Sequence, residues 1–104
     1  MTLQQFEDGL KAAVPETYEL SAPQNAKRFV VWHRYGFNPI HGNNRHQVNV
    51  PKVQIDIVTH DKLDTIAEDV FAALWMMGLS YDIVSDGYDP DYNAARTILQ
   101  LEVV

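Results

Sequence analysis

The chain contains no cysteine, so disulfide bonds, thiolate metal ligands and a cysteine nucleophile are all excluded. It also has no apolar run near the roughly 20 residues that a membrane-spanning helix requires. The first residues, MTLQQFEDGLKAA, are amphipathic and acidic, which is not the pattern of a signal peptide. Together these absences predict a soluble protein that is made in the cytoplasm.

Positive charge is scarce as well. Lysine and arginine number 8 against 14 aspartates and glutamates, for a net charge of −6. A nucleic-acid-binding domain usually concentrates its basic residues on one face. Here the basic residues are scattered along the chain: Lys11, Lys27, Arg28, Arg34, Arg45, Lys52, Lys62 and Arg96. This distribution argues against a nucleic-acid-binding domain. The favoured interpretation of the acidity is solubility, and an acidic surface that repels nucleic acid is the alternative.

Motifs for common enzyme chemistries are missing. There is no P-loop, no G-x-G-x-x-G turn, and no G-x-S-x-G elbow around Ser21, Ser80 or Ser85. The acidic segment DGYDPD lacks the spacing and closing glutamate of a calcium loop, and it favours a turn instead. We therefore predict that the chain is not an enzyme, has no catalytic residue and binds no cofactor.

The most suggestive local group is HGNNRH, which places His41 and His46 five positions apart in a polar segment. A zinc site needs three or four ligands. No acidic residue lies between Phe37 and Gln54 to supply another ligand nearby. A plain polar loop is therefore favoured, and we predict no metal site. A metal-dependent enzyme that uses His41, His46 and carboxylates from elsewhere is kept as an alternative.

The length of 104 residues predicts a single domain, 1–104. Thr2 is placed to cap a first helix, whose apolar residues share one face: Leu3, Phe6, Leu10 and Val14. Pro15 cannot continue that helix. Residues 15–27 are then predicted to be a loop or a short extended piece, punctuated by Pro15 and Pro23.

Two strands are predicted in the middle of the chain. Residues 28–37 are rich in β-branched and aromatic side chains, and both of their faces carry apolar groups. Such a strand is either central or covered by a neighbouring subunit. Residues 50–60 alternate cleanly and put Val53, Ile55 and Ile57 on a buried face. The polar residues 38–49 between them predict a long, flexible hairpin loop, a candidate contact arm.

The main helix is predicted over 61–77, with Asp61 as its N-cap and Gly78 as the residue that ends it. Its apolar residues repeat at steps of three and four along one face: Leu63, Ile66, Ala67, Val70, Phe71, Leu74 and Met77. Trp75 lies off that face. We expect Trp75 to be partly buried, at the end of the helix or in a subunit contact.

Two further strands, 80–86 and 96–104, flank a turn rich in aspartate, proline and asparagine. The predicted order is α-β-β-α-β-β. The predicted fold class is α+β: a four-stranded, mostly antiparallel sheet with two helices packed on one face, because that arrangement buries one apolar stripe per helix.

This order resembles the tail-terminator and tail-completion proteins of long-tailed bacteriophages and prophages. Three features carry the resemblance over residues 28–104: DKLDTIAEDVFAAL after a strand, a short strand at 80–86, and the ending YDPDYNAARTILQLEV. The resemblance implies a structural virion protein, a minor tail protein that forms a ring, commonly a homohexamer. Such a ring caps the tail tube and performs head–tail joining.

The same resemblance implies the partners and the location. The partners are other copies of the chain, the tail-tube protein and head–tail connector proteins, while DNA passes through the ring without specific binding. The location is the virion tail or neck, with assembly in the host cytoplasm. A head-completion or connector protein of the same phage neck is the nearest alternative.

Aromatic and arginine side chains dominate protein–protein contacts. On that ground the predicted interface residues are Trp32, Tyr35, Arg45, His46 and Trp75. A second alternative is a bacterial domain that binds a small ligand or peptide in a pocket lined by Trp32, Tyr35 and Trp75.

Overall fold

The computed structural model describes the backbone of residues 1–40 and 48–104, and the side chains of residues 1–37 and 50–104. Seven elements follow one another along the chain: α1 (Leu3–Ala13), β1 (Thr17–Glu19), β2 (Arg28–Ile40), β3 (Val48–Thr59), α2 (Ile66–Met76), β4 (Tyr81–Asp89) and β5 (Ala94–Glu102). The predicted α+β class is confirmed at this level, as a single domain with two helices and a mixed sheet.

The sheet has five strands in the order β1-β2-β3-β5-β4, one more than predicted. All neighbouring strands are antiparallel except β1, which runs parallel to β2 with Thr17 opposite Val30. Strand β1 falls within 15–27, the segment predicted as a loop or a short extended piece. Its three residues are too few to show an alternating pattern, and its pairing depends on β2.

Both helices pack on the same face of the sheet, as predicted. From α1, Phe6 and Leu10 are fully buried, and the Phe6 ring meets the Trp32 ring edge-on with centroids 5.5 Å apart. The predicted inner face of β3 is confirmed, because Val53, Ile55 and Ile57 are at most 2% exposed. The main core therefore lies between the helix pair and β2, β3 and β5.

Helix α1 begins as the sequence predicts. The Thr2 hydroxyl accepts a hydrogen bond from the Gln5 backbone N–H at 3.1 Å, and the Gln5 side chain accepts one from the Thr2 backbone at 2.8 Å. This reciprocal pair is a capping box, which satisfies two backbone donors at the helix start. The helix ends at Ala13, before Pro15.

Helix α2 begins at Ile66, five positions later than the predicted Asp61. The Asp61 carboxylate accepts from the Leu63 N–H at 2.9 Å, and the Asp64 carboxylate accepts from the Ile66 N–H at 3.1 Å, so residues 61–65 form side-chain-bonded turns. Leu63, predicted to be a core residue, is 90% exposed because it lies in this segment and not on the helix.

The end of α2 matches the prediction. Gly78 has a φ of +72°, the left-handed conformation that glycine adopts without steric cost. The Leu79 N–H donates to the Leu74 carbonyl at 2.9 Å and the Gly78 N–H donates to the Trp75 carbonyl at 3.0 Å. These two bonds form a Schellman motif, and the buried Leu79 closes it against the core.

The outer face of the sheet carries a second, smaller apolar cluster of buried residues: Phe29, Val31, Val58 and Ala94. Tyr18, Ala22 and Ala26 pack over it. The apolar groups on both faces of β2 between Phe29 and Trp32 are therefore covered within the chain. The outer face of this strand needs no neighbouring subunit to bury Phe29 and Val31.

Four other boundaries differ from the predicted ones. Strands β2 and β3 continue into the segment predicted as a loop, reaching Ile40 and starting at Val48. Strand β4 runs on to Asp89 and β5 starts at Ala94, so their turn is shorter than expected. Asn93 supports the short turn with a φ of +50° and accepts a hydrogen bond from the Tyr88 hydroxyl.

Candidate contact surfaces

The hairpin of β2 and β3 extends beyond the rest of the sheet. Strand β5 pairs with β3 only from Lys52 to Thr59, whereas β2 and β3 remain paired as far as Ile40 and Val48. The part of this ribbon beyond Lys52, which we call the arm, projects from the domain and contributes to a longest dimension of 49 Å. Beyond Lys52, the backbone of this ribbon is no longer paired with β5 in the sheet register.

Two aromatic residues stand exposed near the base of the arm. Tyr35 is 47% exposed and Phe37 is 46% exposed. The guanidinium carbon of Arg34 lies 4.5 Å from the centre of the Phe37 ring, a cation–π contact that holds both side chains on the surface. Of the predicted interface residues, Tyr35 is thus exposed, while Arg45 and His46 lie outside the described residues, as does His41.

The three aromatics predicted to line one ligand pocket lie apart. Trp32 is a core residue, 2% exposed, and its side chain is covered by the chain itself. Tyr35 lines an open cleft with Lys52, Tyr81 and other residues at the end of the sheet. Trp75 projects from α2 and is 82% exposed, so the expectation of partial burial within the chain was wrong. Trp32 consequently drops out of the proposed contact surface.

A shallow apolar groove runs between the two helices, with a volume of about 550 Å³. Small and methionine side chains dominate its lining, which consists of Gly9, Ala12, Ala13, Asp69, Ala72, Ala73, Met76 and Met77. Met76 is 84% exposed beside it. A Cβ atom at Gly9 would collide with the Met77 sulfur, so glycine at this position permits the close approach of α1 to Met77.

Strand β4 forms one edge of the sheet, and most of its residues are exposed. Ile83 and Val84 are each 54% exposed and Tyr88 is 64% exposed. Asp82 and Asp86 flank Ile83 and Val84 along the strand. Charges on an edge strand oppose uncontrolled pairing with other chains.

Arg96 organises the outer face near the β4–β5 turn. Its guanidinium donates to Asp89 at 2.7 Å and to Asp56 at 2.9 Å, and its Cζ lies 5.0 Å from the centre of the Tyr92 ring. The hydrogen bond from Arg96 lowers the pKa of the Asp89 carboxyl below its usual value. The bond with Asp89 likewise raises the pKa of Arg96. This network ties β3, β4 and β5 together.

Arg28 links the segment before α2 to the rest of the fold. It donates to the Asp64 carboxylate at 2.8 Å and to Glu16 at 3.0 Å. Burial alone would raise the pKa of Asp64, but hydrogen bonds from Arg28 and Thr59, with the charge of Arg28, lower it overall. These contacts fix the turns at 61–65 against β2 and β3.

A second cleft, of about 460 Å³, lies over the small outer cluster. Phe29, Val31 and Val58 contribute apolar side chains to it, residues 20–24 form part of its wall, and Tyr92 contributes an aromatic ring. Its polar side chains include Asp56, Asp91 and His60. An apolar floor with a few polar groups is the usual make-up of a ligand site.

Within the described residues, no three histidine, aspartate or glutamate side chains are grouped as a metal site requires. No helix in the described part of the chain is long and apolar enough to cross a membrane.

No family model matches the sequence. Nor does any curated protein match it significantly.

Proposed function

We propose that this chain is a structural virion assembly protein, a ring-forming tail terminator or tail-completion protein that caps a phage tail tube and joins tail to head. The observation that carries the proposal is the projecting arm of β2 and β3, with Tyr35 and Phe37 exposed near its base. Because the element order resembles that of phage tail proteins, we interpret the arm as a surface for assembly.

The shape of the domain supports an assembly role. A ring is built from two different surfaces of each subunit, which meet head to tail. The arm lies at one end of the sheet, and the β4–β5 turn with Asp89 and Asp91 lies at the other. The two ends of the sheet are therefore chemically distinct surfaces, as a head-to-tail contact requires. The net charge of −6 suits a channel through which DNA passes without adhering.

The test is assembly of the purified chain, alone and with the tail-tube protein of the same phage. Native mass spectrometry and negative-stain electron microscopy should show a ring, expected as a hexamer, at high concentration or on the tube end. A chain that remains monomeric alone and also with the tube would overturn the proposal.

A matched pair of variants tests the arm. Phe37→Ser removes an exposed aromatic from the arm, whereas Leu63→Ser removes an equally apolar, 90% exposed residue far from it in the chain. Both variants should unfold at the same denaturant concentration as the wild type. Only Phe37→Ser should weaken ring formation, and equal assembly by both variants would exclude the arm as the contact.

The nearest alternative is a head-completion protein. Such a protein would also form a ring, but it would bind the connector instead of the tube.

A second candidate function is binding of a small ligand or peptide, and the outer cleft favours it. Tyr92, 46% exposed, lines this cleft, whereas Tyr88, 64% exposed, does not. A fragment screen read by thermal shift should give binders that Tyr92→Ala loses and Tyr88→Ala keeps. Binders unaffected by Tyr92→Ala would exclude the cleft as a site.

A further inference from the structure

We infer that the helix face is a self-association surface, on which Trp75 of each copy enters the interhelical groove of a second copy. The helix face is the groove lining together with Trp75. The inference is independent of the proposed function, because a two-fold contact closes on two copies whereas a ring uses two different surfaces of each copy.

The first reason is the position of the two features. Trp75 is 82% exposed and lies three positions after Ala72, which lines the groove, so the two are neighbours on the surface of α2. The projecting ring therefore stands beside the margin of the apolar groove. A two-fold contact requires a surface that is complementary to itself, and this arrangement meets that requirement. The groove volume of about 550 Å³ is also within the range of sites that hold a group larger than an indole.

The second reason is charge. Residues 70–81 contain no charged side chain. At the margins, Lys11 pairs with Glu7 at 3.2 Å, and Asp69 lies 3.9 Å from Arg28. The helix face therefore has an uncharged centre, and charged residues such as Glu68 lie at its margin. Interface cores have this composition, depleted of charge and enriched in tryptophan and methionine.

The exposed edge strand β4 is a less favourable surface for self-association than the helix face. Asp82 and Asp86 flank its exposed Ile83 and Val84. Two copies paired along this edge would bring like charges together, which destabilises a strand pair. In a chain of net charge −6, the uncharged helix face is the more favourable place for two copies to meet.

The available area sets the strength of the contact. A tryptophan side chain offers up to about 250 Å², so the exposed part of Trp75 amounts to about 200 Å². A standard interface takes about 800 Å² from each partner. Trp75 supplies about a quarter of that area, and Met76 with the exposed alanines Ala12, Ala13 and Ala72 adds to it. We therefore expect a weak dimer that forms as the concentration rises.

The experiment uses two surface variants of the full chain. Trp75→Ala removes the projecting ring, and Ala72→Glu places a charge in the groove at an exposed helical position. Leu63→Ala, at a 90% exposed residue outside the helices, is the control. Sedimentation equilibrium should show dimerisation in the wild type and the control. Each helix-face variant should raise the dimer dissociation constant about thirtyfold or more, as loss of a tryptophan hot spot does.

Mixing the two variants tests the insertion itself. The Trp75→Ala variant keeps an intact groove and the Ala72→Glu variant keeps an intact tryptophan, so an equimolar mixture restores one of the two insertions. It should recover part of the association that each variant lacks alone. Acrylamide quenching gives an independent measure, because Trp32 is 2% exposed and the quenchable fluorescence of the wild type comes from Trp75. That quenchable fraction should fall as the protein concentration rises.

Three results would overturn the inference: a wild type that stays monomeric at millimolar concentration, a Trp75→Ala variant that dimerises normally, or a mixture with no recovery. A ring that still assembles on the tail tube with Trp75→Ala would leave the proposed function intact whichever of these occurs.

Discussion

The ring of Phe71 on α2 stacks on the ring of Tyr81 at the start of β4, with centroids 5.2 Å apart and planes within 4° of parallel. Both side chains are partly buried against the core. Since β4 is an edge strand, this stack is one of the contacts that hold the edge of the sheet to the helix layer.

The stack predicts an energetic coupling between its two residues. In a double-mutant cycle of Phe71→Ala and Tyr81→Ala, the coupling should be about 0.5–1.5 kcal/mol, because each change alone already removes the aromatic pair. Urea denaturation of the four proteins measures it. Strictly additive losses would mean that the rings do not interact in solution.

The core prediction compares two aliphatic residues of opposite exposure. Ile55→Ala, at a position with 0% exposure, should lower the free energy of unfolding by about 2–5 kcal/mol, because it leaves a cavity between the sheet and the helices. Leu63→Ala, at 90% exposure, should change it by less than about 0.5 kcal/mol. A large loss at Leu63 would restore the expectation that this residue belongs to the core.

The two helix starts provide a matched test of capping. Thr2 caps α1 through its hydroxyl, whereas Thr65 precedes α2 without a side-chain capping bond. Thr2→Ala should therefore cost about 1 kcal/mol of unfolding free energy. Thr65→Ala should cost less than half as much. Equal effects in thermal or chemical unfolding would contradict the assigned capping box.

The Asp64 site predicts how stability depends on acid. Its pKa is lower in the folded chain than the ordinary 3.8, so the unfolded chain binds more protons between the two values and acid favours unfolding. This stabilisation is present when the pH is above the ordinary pKa of the carboxyl, and it is lost as the pH falls through the lower pKa of the folded chain. Asp64→Asn should flatten the dependence of unfolding free energy on pH below about 4.

A control separates this site from general acid effects. Asp8→Asn removes an exposed aspartate from α1 and leaves Asp64 with Arg28 intact, so the decline in stability at low pH should persist. If Asp64→Asn and Asp8→Asn decline in parallel, the contact between Arg28 and Asp64 does not contribute to acid unfolding.

Much of the fold could be predicted from local patterns. The alternation of Val53, Ile55 and Ile57 identified the buried face of β3, and Thr2 and Gly78 marked the start of one helix and the end of the other. These signals work because period-2 burial, a capping hydroxyl and a left-handed glycine act over a few neighbouring residues. The contact surfaces could not be predicted from such local patterns. Residue type alone indicated Tyr35, Trp75 and Trp32 as contact residues. It does not distinguish the exposed Tyr35 and Trp75 from the buried Trp32.

The sequence by itself determined the α+β class, the inner face of β3 and the absence of cysteine chemistry, since each follows from composition or from short-range periodicity. Only the tertiary structure decided the rest. It placed β1 parallel to β2, covered Phe29 and Val31 with the chain's own residues 18–26, and left Leu63 and Trp75 in solvent. The physical reason is that an apolar residue is buried only where another segment has the area and position to cover it, and that segment is distant in sequence.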